Sequence, residues 1–129
     1  MPPTPGRAFG SLVSAVDTDG NEVGGIVLPE LAVALAAHTG WNLRHPDIGG
    51  AEQLLVFAGA TIPMARNRAE REATGDPRLS VAERYASREV YLDRVRQAAE
   101  ALARDGYLLA DDVPLSVVAA GRWWDHFTR

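Results

Sequence analysis

The sequence predicts a mainly α domain of four to five helices, including a C-terminal helical hairpin, with one small β-hairpin near the N-terminus. Three observations carry that expectation. Ser80-Val81-Ala82-Glu83 fits the pattern in which a serine and a glutamate three residues on satisfy each other's backbone amides, so a helix starts there. The stretch "REVYLDRVRQAAEALARDG", unbroken from Ser80 or restarting at Ser87, sets Val90 or Tyr91, Val95, Ala98 or Ala99 and Leu102 along one stripe before Asp105-Gly106 ends it. "YLLADDVP" then turns the chain. Asp111 or Asp112 is the cap and Pro114 sits in the first turn of a last helix reaching about Phe127. Upstream, Val13, Val16, Val23, Ile26 and Val27 flank the polar cluster Asp17 to Asn21, a hairpin pattern that Gly24 and Gly25 loosen in its second strand.

The remaining elements follow in order. Residues 1–8, with three prolines, read as a flexible N-terminal segment, and residues 9–129 as a single, mostly helical domain. Asp17-Thr18-Asp19-Gly20-Asn21 places oxygen ligands on a tight turn, but it lacks the ligand spacing and late glutamate of a calcium loop, so it reads as a turn. "PELAVALAA" is a helix candidate with proline at its start, Glu30 in its first turn and Gly40 as a stop. "AEQLLVFAGA" is a second, closed by Gly59. Thr61 is the expected cap of a third, "IPMARNRAEREAT", which ends before Gly75 and carries Arg66–Glu70 and Arg68–Glu72 at a spacing of four on a solvated face.

Composition narrows the function. A formal charge of -4 opposes a nucleic-acid surface, and the helical hairpin lacks a basic recognition face. The absence of cysteine removes disulfides, thiolate metal sites and a cysteine nucleophile. No uninterrupted apolar stretch at the start resembles a signal or an anchor, so a soluble cytoplasmic protein without a membrane partner is the default. The basic side chains are all arginine, a bias expected of a GC-rich genome.

Standard catalytic motifs are missing as well. There is no Gly-x-Ser-x-Gly elbow, no phosphate-binding Gly-x-x-x-x-Gly-Lys loop, no dinucleotide fingerprint and no His-Glu-x-x-His. No residue is assigned as catalytic and no cofactor is implied. His38, His45 and His126 match no metal-ligand spacing. The candidate site is "HTGWNLR". There His38, Asn42 and Arg44 would point into a pocket floored by Trp41, suited to an anionic or carbonyl-bearing small molecule; the plainer alternative is a helix-ending turn in which Trp41 covers an apolar gap. Trp123 and Trp124 cannot both face inward on one helix, so one packs on the core and the other marks an interface.

The succession Phe9-Gly10-Ser11-Leu12-Val13, "VDTDGNEVGGIVLPELAV", "HTGWNLR" and "IPMARNRAEREATGDPRLSVAERYASREVYLDRV" resembles the C-terminal region of a family of large bacterial α/β-hydrolase-domain proteins whose substrate is poorly defined. The similarity covers nearly the whole chain, and "VDTDGNEV", "TGWN" and the run from Gly75 to Tyr85 are its most specific strings. It implies a part of a hydrolase, whose nucleophile and most of whose central sheet have no counterpart here. The role implied is a C-terminal region or small accessory subunit of an ester- or acyl-hydrolysing enzyme, partnered by a larger hydrolase-like polypeptide. Thr39 to Asn42 and Arg44 would face that body or its cleft. Where the resemblance leads one to expect a tyrosine before "TGWN", this chain has His38. The alternative is a free-standing homo-oligomer that binds a small ligand at Trp41, Asn42 and Arg44.

Overall fold

The computed structural model describes residue 6, residues 14–55 and residues 57–129. The expected flexibility of residues 1–8 and the first hairpin strand at Val13 therefore lie mostly or wholly outside the described residues. Helices dominate the C-terminal half: α2 (Arg68–Thr74), α3 (Val81–Arg84), α4 (Arg88–Arg104) and α5 (Val113–Phe127) follow a single helical turn, α1 (Pro29–Ala32). The N-terminal half carries two small antiparallel pairs, β1 (Ala36–Thr39) with β4 (Ala60–Pro63) and β2 (Asn42–Leu43) with β3 (Leu54–Leu55).

The C-terminal elements form for the reasons their residues suggest. Glu83 Oε2 accepts the Ser80 amide at 3.0 Å and the Ser80 hydroxyl at 2.7 Å, which starts α3. Tyr85 is extended and ends that turn, and Ser87 then caps α4 by accepting the Val90 amide at 3.3 Å. Gly106, at φ 80°, lets the chain leave the helix. Pro114 falls in the first turn of α5, as its fixed φ favours. The α4–α5 hairpin buries Tyr91, Val95 and Ala99 from one helix and Ala120 from the other, and Arg88 Nε clamps the pair by donating to Asp125 Oδ1 at 3.0 Å.

The N-terminal half corrects three expectations. "PELAVALAA" does not stay helical: it leaves α1 after Ala32 and enters β1, because Ala34 to Ala37 are buried on both sides, Ala36 completely. A short apolar run of this kind has no periodicity to separate a buried strand from a helix. Among its described residues "AEQLLVFAGA" forms no helix either. Gly49 and Gly50, at φ 74° and 64°, turn the chain so that Leu54–Leu55 pairs back on Asn42–Leu43. Thr61 lies in β4, and the cap of α2 is Asn67, whose Oδ1 accepts the Glu70 amide at 3.0 Å. Of the N-terminal hairpin, the described residues retain one bridge, Val16 to Glu22.

Side chains finish the β1–β4 pair where further strands would. Met64 N donates to Leu35 O, so the odd-numbered residues of β1 face β4 and Ala36 and His38 present their backbone to the far side. There Asn21 acts as a substitute strand: its amide donates to Ala36 O at 3.2 Å and its Oδ1 accepts the His38 amide at 2.8 Å. On β4, Arg78 donates to Ile62 O and Pro63 O at 3.0 and 3.1 Å, while Asp76 holds the same guanidinium at 2.7 Å. Gly59 is required at the entry to β4, since a Cβ there would stand 2.3 Å from Thr39 O.

Glu83 also ties α3 to α2 through Arg71, at 2.8 Å. Hydrogen bonds from the Ser80 hydroxyl, from Arg71 and from the Ser80 amide hold its carboxyl down from 4.5 to about 2. A depressed pKa adds stability that is fully present above about 4.5 and is lost as the pH falls toward 2. Glu83→Gln is therefore expected to flatten the acid limb of a stability profile across that window. Urea unfolding at stepped pH reads it; an unchanged acid limb would contradict the assignment.

Candidate functional site

Two cavities meet at His38. The larger, about 950 Å³, opens between the Asp17–Asn21 turn and the two strand pairs, and its walls are mostly apolar: Val16, Trp41, Leu43, Leu54 and Ile62. Ser14, His38, Thr39, Asp19, Glu22 and Arg78 supply its polar rim. Asp19 and Arg78 are already engaged. The Asp19 carboxylate is gripped by both terminal nitrogens of Arg84, one at 2.7 Å, and Arg78 is held by Asp76 and by β4. That guanidinium keeps the Asp76 carboxyl below the usual range, and Asp76 in turn raises Arg78. The smaller cavity, about 270 Å³, lies on the helical side between α1, β1 and the end of α5.

The predicted site residues divide. His38 sits on β1, partly buried, with Nδ1 3.2 Å from the Thr61 hydroxyl, and it lines both cavities. Trp41 is half-exposed on the large cleft, and its carbonyl accepts the Thr39 hydroxyl at 2.5 Å. Asn42 and Arg44 are not on that wall. Asn42 Oδ1 accepts the Leu43 amide at 2.8 Å, and Arg44 reaches the other way, to Gln53 Oε1 at 3.2 Å and Ile48 O at 3.4 Å. Both stabilise the β2–β3 turn. With Arg44 turned away and Arg78 neutralised, the cleft is furnished for an apolar group rather than an anion.

The histidines stand apart: His45 caps the turn at Asp47, and His126 packs by Trp123 and Phe127. Among the described residues no three His, Asp or Glu side chains come together where they could hold a metal ion. Of the serine hydroxyls described, Ser80 is committed to Glu83, Ser87 to the α4 cap and Ser116 to Asp112 O, whereas Ser14 is exposed on the wall of the large cleft. The two tryptophans separate as their helix geometry requires. Trp124 packs between Tyr85 and Tyr91, with centroids 6.2 and 5.2 Å away, while Trp123 is 49 % exposed.

Sequence reasoning missed Asn21, Arg78 and Arg84, which hold the cleft together. The signal was present in the strings "DTDGN" and "GDPR", whose polar residues are satisfied inside the protein. Asp17 Oδ1 accepts the amides of Asp19 and Asn21 at 2.8 and 2.9 Å, as an Asx turn does. Tyr85 likewise donates its hydroxyl to Ala34 O at 3.0 Å, joining α3 to the approach to β1.

A family model described as "Alpha/beta hydrolase domain" matches residues 1–117. No curated protein and no solved structure matches the chain. Among the described residues, no helix is long and apolar enough to cross a membrane.

Proposed function

The chain belongs to the alpha/beta hydrolase domain family, and from that premise we propose that it shapes the substrate cleft of an ester- or acyl-hydrolysing enzyme without supplying the nucleophile. The observation that carries the reading is the apolar cleft. Val16, Trp41, Leu43, Leu54 and Ile62 are each about half-exposed on one side of two strand pairs too small to bury them. A face of that size and composition gains stability by covering a partner or the apolar part of a ligand. Chemistry agrees. Serine hydrolysis needs a hydroxyl paired with a base and an oxyanion donor pair; Ser80, Ser87 and Ser116 are committed to local structure, and Ser14, on the cleft wall, has no base hydrogen-bonded to it among the described residues. In this reading His38 and Trp41 face the acyl or leaving group, and a larger polypeptide or segment bearing a serine elbow completes the site.

The test is p-nitrophenyl butyrate hydrolysis and light scattering, on the chain alone and mixed with a serine-elbow α/β-hydrolase polypeptide of the same genome. The expected result is no turnover alone, co-elution with the hydrolase, and a loss of roughly tenfold or more in that association on Ile62→Glu with helical content unchanged. Turnover by the chain alone would refute the division of labour. A discrete homo-oligomer indifferent to the hydrolase would establish the free-standing binding module instead.

A further inference from the structure

The smaller cavity stands apart from the cleft in chemistry. Three aromatic rings, Tyr91, Trp123 and Phe127, line it together with the aliphatic side chains of α1 and β1; one carboxylate, Glu30, stands at its edge, and His38 is shared with the larger cleft. Trp123 and Phe127 lie parallel, 5.6 Å between centroids and 13° between planes, and they hold each other across one turn of α5. Tyr91 is only 2 % exposed, so it meets the cavity from within the core. Glu30 is exposed, and no salt bridge joins it to another of the described residues.

The geometry points to a binding site for a small organic cation, an alkylammonium or quaternary ammonium head, held by Tyr91, Trp123 and Phe127 with Glu30 as its counter-charge. Ring faces attract a cation through their quadrupole, and a methylated ammonium also gains from burying its methyl groups, which a simple metal ion cannot do. Size agrees with a head group: about 270 Å³ lies just below the range of cavities that enclose drug-sized ligands. The electrostatics agree too. Burial, and then the nearby Tyr85 and Glu30, push the Tyr91 phenol up, so the ring meets the ligand in its neutral form.

The experiment titrates choline and its neutral carbon isostere, 3,3-dimethyl-1-butanol, into the 129-residue chain by calorimetry, with tryptophan fluorescence as a second readout. Choline is expected to bind and the isostere to bind at least about fivefold more weakly. Trp123→Ala and Glu30→Gln, both at exposed positions, are each expected to weaken choline about three- to tenfold with unchanged circular dichroism. Equal binding of choline and the isostere would reduce the cavity to an apolar hollow and overturn the assignment. So would the absence of choline binding at millimolar concentration, or insensitivity to Glu30→Gln. The two cavities share His38, but Trp123 and Glu30 line only this one, so their variants test this site apart from the hydrolase reading.

Discussion

Tyr91→Ala is expected to cost about 4 kcal/mol of folding stability, the largest effect of any single truncation in the helical half. Tyr91 is the biggest fully buried side chain among the described residues, and its ring meets Tyr85 edge-on at 5.1 Å and Trp124 at 5.2 Å. Those contacts join α4, the α3–α4 turn and α5, so the void left by alanine cannot be closed by moving one element. Removing a buried aromatic side chain typically costs roughly 3–5 kcal/mol, with aromatic pair geometry adding about 0.5–1.5 kcal/mol per pair. Tyr91→Phe is the control: it keeps the ring and its packing, so it should stay within about 1 kcal/mol of the parent. Chemical denaturation followed by circular dichroism separates the two. A loss below about 2 kcal/mol for the alanine variant would mean that the hairpin does not depend on this ring.

The helical half was legible in the sequence because its signals are local. Ser80 and Glu83, the stripe from Tyr91 through Val95 to Ala99, Asp105-Gly106 and Pro114 each act within a turn or two of themselves. In the N-terminal half the deciding interactions are distant. Ala34 to Ala37 form a strand only because residues 60–63 pair with them and a side chain from Asn21 completes their other edge. No window of a dozen residues contains that information. The same holds for the site: His38 and Trp41 share the cleft because β1 runs into its turn, whereas Arg44 is drawn away by Gln53 and Ile48, partners supplied by the β2–β3 turn that the helical reading of "AEQLLVFAGA" had no place for. Arginine-rich strings also mislead. Arg78 and Arg84 look like ligand-binding cations in isolation, yet each is matched to an aspartate and serves the fold.

Asn21→Ala should cost about 3 kcal/mol and should act on the site as well as on stability. Asn21 is 1 % exposed, and its side chain satisfies the carbonyl of Ala36 and the amide of His38 on the open edge of β1. Alanine keeps the backbone and removes both partners, leaving a buried acceptor and a partly buried donor, each costing about 1–3 kcal/mol when orphaned. Asp17 cannot take over, because its Oδ1 is already occupied by the amides of Asp19 and Asn21. The loss should fall unevenly. The α4–α5 hairpin is packed by its own core and keeps its protection, whereas the β1 amides, that of His38 first, should exchange earlier with solvent. Asn21→Asp restores the acceptor but not the donor, so it should protect the His38 amide while leaving Ala36 O unpaired. Hydrogen exchange resolved at His38, with Tm measured alongside, tests this role of Asn21. Uniform loss of protection in both halves would show that the Asp17–Asn21 turn is part of one cooperative core, and the cleft could then not be tuned separately from the fold.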